Sequence, residues 1–384
     1  MWKKFLGYGV LTIVVVLSLG FAYLYFSSPA TAPPSSIKIE PSQARLTRGK
    51  YLFHHVAACG DCHSQRDYTR FGGPVIEGGD GLGFAFPQEM GFPGTVVAPN
   101  ITPDKETGIG NWTDGEIIRA IREGVSRDGS ALFPLMPYAD FRHMSDEDVF
   151  ALVAYMRTLS PARNVLPRSK INFPVSMLIK SAPKPAGYVP AVDRINPLKY
   201  GEYLTTLGGC ANCHTPMEKG EPLPGKRLAG GEIFRTPIGT VVSANITPDQ
   251  DTGIGKWSEQ DFLNKFYQYR KYVEKGSPKI GPESFTLMPW LPFCQLPEED
   301  LKAIFAFLKT QPPVYNAVET HPAHLQPVEP VSEFTGACGC EIFPIRKAGC
   351  AKRPRSPSAK ELSVRLSRAN EDNTLKAPLF FPFF

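Results

Sequence analysis

The chain has little net charge with which to bind a polyanion. Its formal charge is +5, from 42 Lys and Arg against 37 Asp and Glu. Residues 337–384 alone carry nine Lys or Arg and four Asp or Glu, a net of +5 (9 − 4), so the remainder is formally neutral. A basic terminal block of this composition indicates a solvated, disordered tail, which we place at residues 315–384. Nucleic acid is therefore not an expected partner.

Long uninterrupted stretches suited to regular secondary structure are also scarce, because Pro and Gly are frequent. The chain has 38 Pro and 34 Gly among 384 residues, too many for long helices or a regular sheet. This composition predicts a mainly α protein, built from short helices joined by extended loops. The exception is an uncharged run of 22 residues from Phe5 to Phe26, which follows Lys3 and Lys4.

That run predicts an N-terminal transmembrane helix over residues 1–26. As a helix it would span about 33 Å, enough to cross the hydrocarbon core of a bilayer. A cleaved signal peptide is the alternative, but its apolar stretch usually has about 7–15 residues. With Lys3 and Lys4 retained inside, the chain is a single-pass protein of the cytoplasmic membrane and its remainder faces the periplasmic side. Residues 27–45 then form a Pro-rich linker.

Four of the eight cysteines lie in two copies of one motif, Cys59 to His63 (CGDCH) and Cys210 to His214 (CANCH). This run is the signature of c-type haem attachment, in which both thiols bond to the porphyrin and the adjacent imidazole binds the iron. One copy alone is also compatible with a chance match, a redox dithiol or half of a zinc site. Two copies in separate repeats favour two haems c, attached through Cys59, Cys62, Cys210 and Cys213.

A Leu-Met-Pro run follows each motif, and its methionine is the predicted second iron ligand. Met136 lies 73 residues after His63 (136 − 63), and Met288 lies 74 after His214 (288 − 214). A thioether on a short Pro-containing loop can approach the face opposite the histidine, and His/Met ligation raises the reduction potential. His54, His55 and Met144 are weaker alternatives, because their counterparts in the second copy are Thr205, Thr206 and Leu296.

The motifs belong to a longer repeat. Residues 94–112 match residues 239–257 at 14 of 19 positions. We place one module at residues 46–160 and a second at residues 198–314, each within the usual size of a domain. A covalently attached haem gives such a small module an apolar body around which its helices pack. Residues 161–197 join the modules and hold seven prolines and an apolar patch at Ile171 to Val175. We expect a strap with that patch buried, and a floppy linker is the alternative.

The repeated loop ends in a tryptophan, Trp112 or Trp257. Its Asn, Thr and Asp side chains favour local bonds to the backbone, so the loop should be compact. The two indole N–H groups are candidate donors to haem propionates. A loop that folds on itself, with the tryptophan as an apolar plug, is equally compatible with the sequence.

The haem motifs, together with Asn100 to Asp104 (NITPD), Thr107 to Gly110 (TGIG), Trp112 and the copy at 245–257, resemble the cytochrome c subunits of bacterial membrane-bound alcohol, gluconate and related dehydrogenases. The likeness covers residues 46–311. It implies class I-like modules that collect electrons from a dehydrogenase and pass them to ubiquinone or another acceptor. Those subunits generally carry three haem motifs and this chain has two, so a separate membrane dihaem cytochrome is also compatible.

These features predict two tandem class I-like cytochrome c modules behind an N-terminal transmembrane helix. The predicted function is one-electron transfer in a respiratory or dehydrogenase chain, with a dehydrogenase, a quinol-linked complex or a terminal oxidase as redox partner. The iron ligands would be His63 and Met136 in one module, and His214 and Met288 in the other. A dihaem enzyme such as a peroxidase is the alternative, but it needs an open iron position, and both modules have their own Leu-Met-Pro.

Overall fold

The structure is a computed structural model that describes residues 2–26, 29, 31–218 and 220–326. Helices dominate these residues, which confirms the mainly α prediction. The predicted tail lies outside the described residues from position 327 onward, and so do Cys338, Cys340 and Cys350.

Thirteen α-helices occur in this part of the chain, and all except the first have at most 12 residues: α1 Trp2–Phe26, α2 Gln43–Tyr51, α3 Cys59–His63, α4 Asp114–Glu123, α5 Tyr138–Phe141, α6 Asp146–Met156, α7 Val175–Leu178, α8 Pro197–Leu207, α9 Cys210–His214, α10 Glu259–Tyr267, α11 Arg270–Lys275, α12 Trp290–Phe293 and α13 Glu298–Lys309. The strands form four short antiparallel pairs: β1 Phe84–Ala85 with β3 Val97–Ala98, β2 Gly94–Thr95 with β4 Lys170–Ile171, β5 Met217–Glu218 with β6 Glu221–Pro222, and β7 Ile233–Arg235 with β8 Thr240–Val242.

Helix α1 contains the apolar run. Its stretch Phe5–Tyr23 has 19 residues and a mean hydropathy of 2.2, and none of that stretch is buried inside the protein. By length and composition it can cross a membrane, and a signal sequence would have the same properties.

One crossed helix pair lies in residues 43–160, which we call the first half, and another lies in residues 197–326, which we call the second half. Helix α2 packs on α6, and α8 packs on α13. A glycine lies at each crossing: a Cβ at Gly49 would stand 1.9 Å from the Ala151 carbonyl oxygen, and a Cβ at Gly201 would stand 1.9 Å from that of Ala303. Only a residue without a side chain allows so close an approach. The apolar faces of α6 and α13 are buried in one continuous core: Val149, Leu152, Val153, Met156, Leu301, Ile304, Phe305 and Leu308.

The helix before the haem motif differs between the halves by one residue. Leu52 precedes Cys59 by seven positions (59 − 52), whereas Leu204 precedes Cys210 by six (210 − 204). The first half accommodates the extra residue in a π-helical turn, Leu52–Val56, where α8 continues as a regular helix. Both halves then reach the motif through a residue in the left-handed region, Ala58 or Gly209, so the motif helices start alike.

Residues 161–197 are hydrogen-bonded to the first half along their length. Strand β4 pairs with β2, the Asn164 side chain donates to the Leu82 carbonyl at 2.8 Å, and the Asp146 amide donates to the Val189 carbonyl at 2.9 Å. The second half has a similar covering segment, in which the Val242 amide donates to the Thr320 carbonyl at 2.9 Å. The packed chain therefore continues to Gln326, beyond the module end predicted at 314.

The halves differ in length at two further places, and these two places contact each other. The stretch from motif His to loop Asn is longer in the first half, at 37 positions (100 − 63) against 31 (245 − 214). The stretch from loop Trp to Met is longer in the second half, at 31 positions (288 − 257) against 24 (136 − 112). Phe71 stacks on Tyr269 with ring centroids 4.9 Å apart, and its amide donates to the Pro278 carbonyl at 2.9 Å. We name these contacting segments, residues 67–73 and 269–280, the clasp.

Candidate functional site

Each motif forms a five-residue helix that ends in its histidine, α3 or α9. The Nδ1 atom of His63 lies 2.8 Å from the Pro99 carbonyl oxygen, and that of His214 lies 2.7 Å from the Ala244 carbonyl oxygen. Because a carbonyl can only accept, each Nδ1 carries the proton and each Nε2 keeps its lone pair. Desolvation lowers the pKa of both imidazoles, which favours this neutral form. Both rings are thus prepared to bind a metal through Nε2.

The motif thiols do not have the properties of a redox dithiol. Burial raises the pKa of Cys59 to about 12 and that of Cys62 to about 11. A reactive dithiol instead contains a cysteine whose pKa is lowered. Among the described residues, no group of three or more His, Cys, Asp or Glu side chains is placed to hold a metal ion.

The two candidate methionines occupy equivalent turns. Met136 stands two residues before α5, and its carbonyl accepts from the Tyr138 amide at 2.8 Å. Met288 stands two residues before α12, and its carbonyl accepts from the Trp290 amide at 2.7 Å. Both side chains are half-buried and pack against the same apolar core as Cys59, Cys210 and the helix pairs. Met144, by contrast, is fully buried, as is its counterpart Leu296, so it belongs to the core of the repeat.

The repeated loop is bonded to itself and to the segment that covers it. The Asn100 amide group donates to Thr107 Oγ1 at 3.0 Å and to the Ala162 carbonyl at 2.8 Å. In the second copy, the Asn245 side chain makes the same bonds to Thr252 at 3.0 Å and to Val314 at 2.8 Å. Trp112 and Trp257 are half-buried against the core. The loop is therefore compact in both copies, as predicted, and the two indole N–H groups stay candidate donors to haem propionates.

The π-helical turn holds the two histidines that are the alternative ligands. His54 Nε2 lies 2.7 Å from the Tyr155 hydroxyl and 3.9 Å from Asp80 Oδ2. The Nδ1 atom of His55 is buried without a hydrogen-bond partner. Sequence reasoning could not find Tyr155 and Asp80 as neighbours of His54, because neither stands in a motif.

Two tyrosine-to-aspartate hydrogen bonds cross between the halves. The Tyr51 hydroxyl of the first half donates to Asp300 Oδ2 of the second. The Tyr203 hydroxyl of the second half donates to Asp148 Oδ2 of the first at 2.7 Å. The tyrosines stand 152 positions apart (203 − 51), and so do the aspartates (300 − 148). The same bond is therefore made in both directions, as an approximate two-fold axis between the halves requires.

Arg48 breaks this symmetry. Its guanidinium binds both carboxylate oxygens of Asp148, at 2.8 and 2.7 Å. The residue at its position in the second half is Tyr200, whose hydroxyl donates to Asp300 at 3.3 Å. Burial acts to raise the pKa of both carboxyls, but Arg48 outweighs it at Asp148, whose pKa is lowered. The pKa of Asp300 is raised, because its hydrogen bonds from tyrosines offset only part of the burial.

We expect Asp300→Asn and Asp148→Asn to change the pH dependence of stability in opposite directions. The folded state holds the Asp300 proton more tightly than the unfolded state. That contribution to the free energy of unfolding is therefore present at acid pH and is lost as the pH rises from about 4 through the raised pKa. The contribution of Asp148 is present above its ordinary pKa and is lost as the pH falls below it.

Denaturant unfolding of the holoprotein between pH 3 and 7 measures both effects. Asp300→Asn should flatten the loss of stability above about pH 4. Asp148→Asn should cost about 3 to 5 kcal/mol at neutral pH, because it leaves Arg48 buried without its partner. Identical pH profiles for wild type and Asp300→Asn would show that Asp300 titrates normally.

The two motifs approach each other at this interface. The Asn212 side chain, inside the second motif, donates to Asp140 Oδ2 of α5 at 2.6 Å. Asp140 lies four residues after Met136, so the second motif contacts the helix that follows the methionine turn of the first half. Cys213 is also close enough to Cys62 for a charge on it to raise the pKa of Cys62. The candidate sites therefore adjoin one another across the interface.

Paired Cys-x-x-Cys-His helices with available Nε2 atoms are the arrangement of a c-type cytochrome. The chain belongs to the family of c-type cytochromes that includes dihaem cytochromes and the cytochrome c subunits of dehydrogenases. It is 30% identical over 311 residues to a dihaem c-type cytochrome of Cereibacter sphaeroides, which covers 79% of this chain and 97% of that one. The predicted resemblance is thereby confirmed, although no protein-family model matches the chain.

Two further relatives are dehydrogenase subunits. The cytochrome c subunit of a quinone alcohol dehydrogenase from Gluconobacter oxydans is 31% identical over 291 residues, 72% of this chain and 56% of that one. A nicotinate dehydrogenase subunit from Pseudomonas putida is 33% identical over 344 residues, 81% of this chain and 26% of that one. The chain thus spans a little over half of the alcohol dehydrogenase subunit and about a quarter of the nicotinate dehydrogenase subunit.

Proposed function

We propose that the chain carries single electrons by means of two covalently bound haems c. Cys59 and Cys62 attach the first haem, and Cys210 and Cys213 attach the second. The observation that supports this most is the pair of histidine hydrogen bonds, at 2.8 and 2.7 Å, which leave Nε2 of His63 and of His214 available in the same way. When bound, a c-type haem supplies an iron centre that alternates between the ferric and ferrous states.

In this proposal Met136 and Met288 are the second ligands, and residues 46–160 and 198–314 are tandem class I-like modules. The backbone bonds of the two methionine turns are the same, which supports equal roles for the two side chains. Binding by both a His and a Met would leave no position on the iron free for a small molecule. A carrier needs this closed arrangement, whereas a peroxidase needs one open position.

We also propose α1 as a membrane anchor that holds both modules at the periplasmic face. Its redox partner would be a dehydrogenase, a quinol-linked complex or a terminal oxidase. The names of the relatives support a dehydrogenase, because several are cytochrome subunits of dehydrogenases. The adjoining motifs and the buried interface support transfer between the two haems inside one chain.

The optical spectrum of the purified holoprotein tests the proposal. We expect two haems per chain, a weak band near ~695 nm in the ferric state from methionine ligation, and no change on adding cyanide. Haem content per chain is measured as the pyridine complex after the protein concentration has been determined independently. A high-spin fraction that binds cyanide or consumes peroxide would favour a dihaem enzyme.

A further inference from the structure

The strap contacts the outer end of α1. The ring centroid of Phe173 lies 6.2 Å from that of Phe21, and Lys180 Nζ donates to the Tyr25 carbonyl at 2.6 Å. Helix α7, between Phe173 and Lys180 in sequence, also packs against α1. If the stretch Phe5–Tyr23 spans a bilayer, residues 171–180 lie at the level where α1 leaves the lipid.

Apolar side chains in this segment face outward. The sequence predicts a buried patch at Ile171 to Val175, and that prediction is wrong for Phe173, which is 68% exposed. Leu178 is 45% exposed. Ile171 and Val175 are half-buried beneath them, because they pack on a small core that includes Ile179. The segment turns one apolar layer inward and leaves a second uncovered by the rest of the described protein.

The charge around this patch has one sign. Between Pro161 and Val192 the chain has five Lys or Arg and no Asp or Glu. Arg163 and Arg168 pair with Glu106 and Asp128 of the first half. Lys170 and Lys184 are exposed on either side of the patch in sequence, whereas Lys180 donates to the Tyr25 carbonyl of α1. Exposed apolar tips bordered by lysines are the composition of a segment that rests among the headgroups of anionic lipids.

The patch is rigidly joined to the first half. The small core beneath it contains Phe92, Phe133 and Ile179, and Leu135, the residue before Met136, packs against that core. Strand β4, at the start of the patch, is paired with β2. The patch therefore lies over a core that also packs against the residue before Met136.

We propose that residues 171–180 seat the first half on the bilayer. Phe173 and Leu178 enter the interfacial region of the outer leaflet, and the exposed Lys170 and Lys184 contact anionic headgroups. This inference rests on the proposed anchor role of α1, whose lipid-facing surface continues directly into the patch. Lipid is the occupant that this continuity selects, since α1 and the patch lie side by side. The seat would hold the Met136 side of the first half near the membrane.

Quenching of tryptophan fluorescence by brominated lipids tests the seat in full-length holoprotein. A Phe173→Trp variant is prepared in a Trp2→Phe background and reconstituted in vesicles with about one third anionic lipid. The matched control is Tyr315→Trp in the same background, because Tyr315 is 67% exposed and lies in the second half. We expect bromolipid to quench the added signal at position 173 about threefold more than that at position 315.

Three outcomes separate the possible failures. Equal quenching at positions 173 and 315 would overturn the seat. That result is expected if a partner protein, rather than lipid, covers the patch. The parent protein, which retains Trp2, tests the anchor separately. Bromolipid should quench Trp2 fluorescence only if α1 inserts into the bilayer. Replacing anionic by zwitterionic lipid should reduce quenching at 173, and exchange of Lys170 and Lys184 for Gln should abolish that lipid dependence. None of these readouts depends on electron transfer.

Discussion

Met288→Ala is expected to open one of the two irons to external ligands and to leave the other closed. The alanine side chain is too short and has no sulfur to offer, so cyanide should bind about one equivalent per chain. The potential of that centre should fall by on the order of 0.1 V or more, within the range of about 0.8 V that axial ligands cover. Cyanide titration followed by optical spectroscopy, together with redox titration, measures both effects.

The chain provides matched controls for this experiment. Met136→Ala should open the other iron and give the same stoichiometry, and the double variant should bind two equivalents. Met144→Leu should leave the spectrum unchanged, because the second half has Leu296 at the same buried position. If neither Met136→Ala nor Met288→Ala alters the spectrum, the ligand assignment is wrong, and His54 and His55 become the residues to replace next.

Gly49→Ala is expected to cause a large loss of stability. An alanine is ordinarily favoured over glycine in a helix by about 1 kcal/mol. Here its Cβ would lie 1.9 Å from the Ala151 carbonyl oxygen and 2.7 Å from the Tyr155 Cβ. Neither group can move without separating α2 from α6, so we expect a net loss of about 3 kcal/mol or more. Denaturant unfolding, followed by far-ultraviolet circular dichroism and haem absorbance, measures it.

Gly201→Ala should cost a similar amount, since its Cβ would meet the Ala303 carbonyl oxygen at 1.9 Å. Gly187→Ala is the control: nothing lies within 4 Å of a Cβ there, and we expect a change within about 0.5 kcal/mol. A small effect at both Gly49 and Gly201 would mean that the helix pairs are further apart than the structure places them.

The local features of this molecule could be predicted from the sequence. The apolar faces of α6 and α13 follow from helical periodicity, and the candidate histidines and methionines follow from the spacing of two repeated motifs. The hydrogen bond that keeps the proton on Nδ1 of His63 could not be predicted. Its acceptor is the Pro99 carbonyl, 36 positions away, and any residue type would supply the same acceptor.

Contacts between the halves were beyond sequence reasoning for a different reason. Tyr51 and Asp300 are 249 positions apart, and neither belongs to a pattern that local propensity reads. The π-helical turn has a visible trace in the sequence, the extra residue before Cys59. Its conformation could not be predicted, because it depends on the motif helix starting at the same place in both halves. The apolar run around Phe173 predicts burial for all its side chains, and the structure shows that only its neighbours Ile171 and Val175 turn inward.

The clasp makes the two halves of the molecule inequivalent, which the repeat alone would not do. A chain assembled from two copies of the first half would have two long loops at residues 67–73 and nothing to receive them. One assembled from two second halves would lack those loops altogether. The two length differences are therefore complementary, because the longer segment of each half contacts the longer segment of the other. The half that is joined to α1 and the strap therefore differs from the other half, and the two ends of the molecule are structurally different.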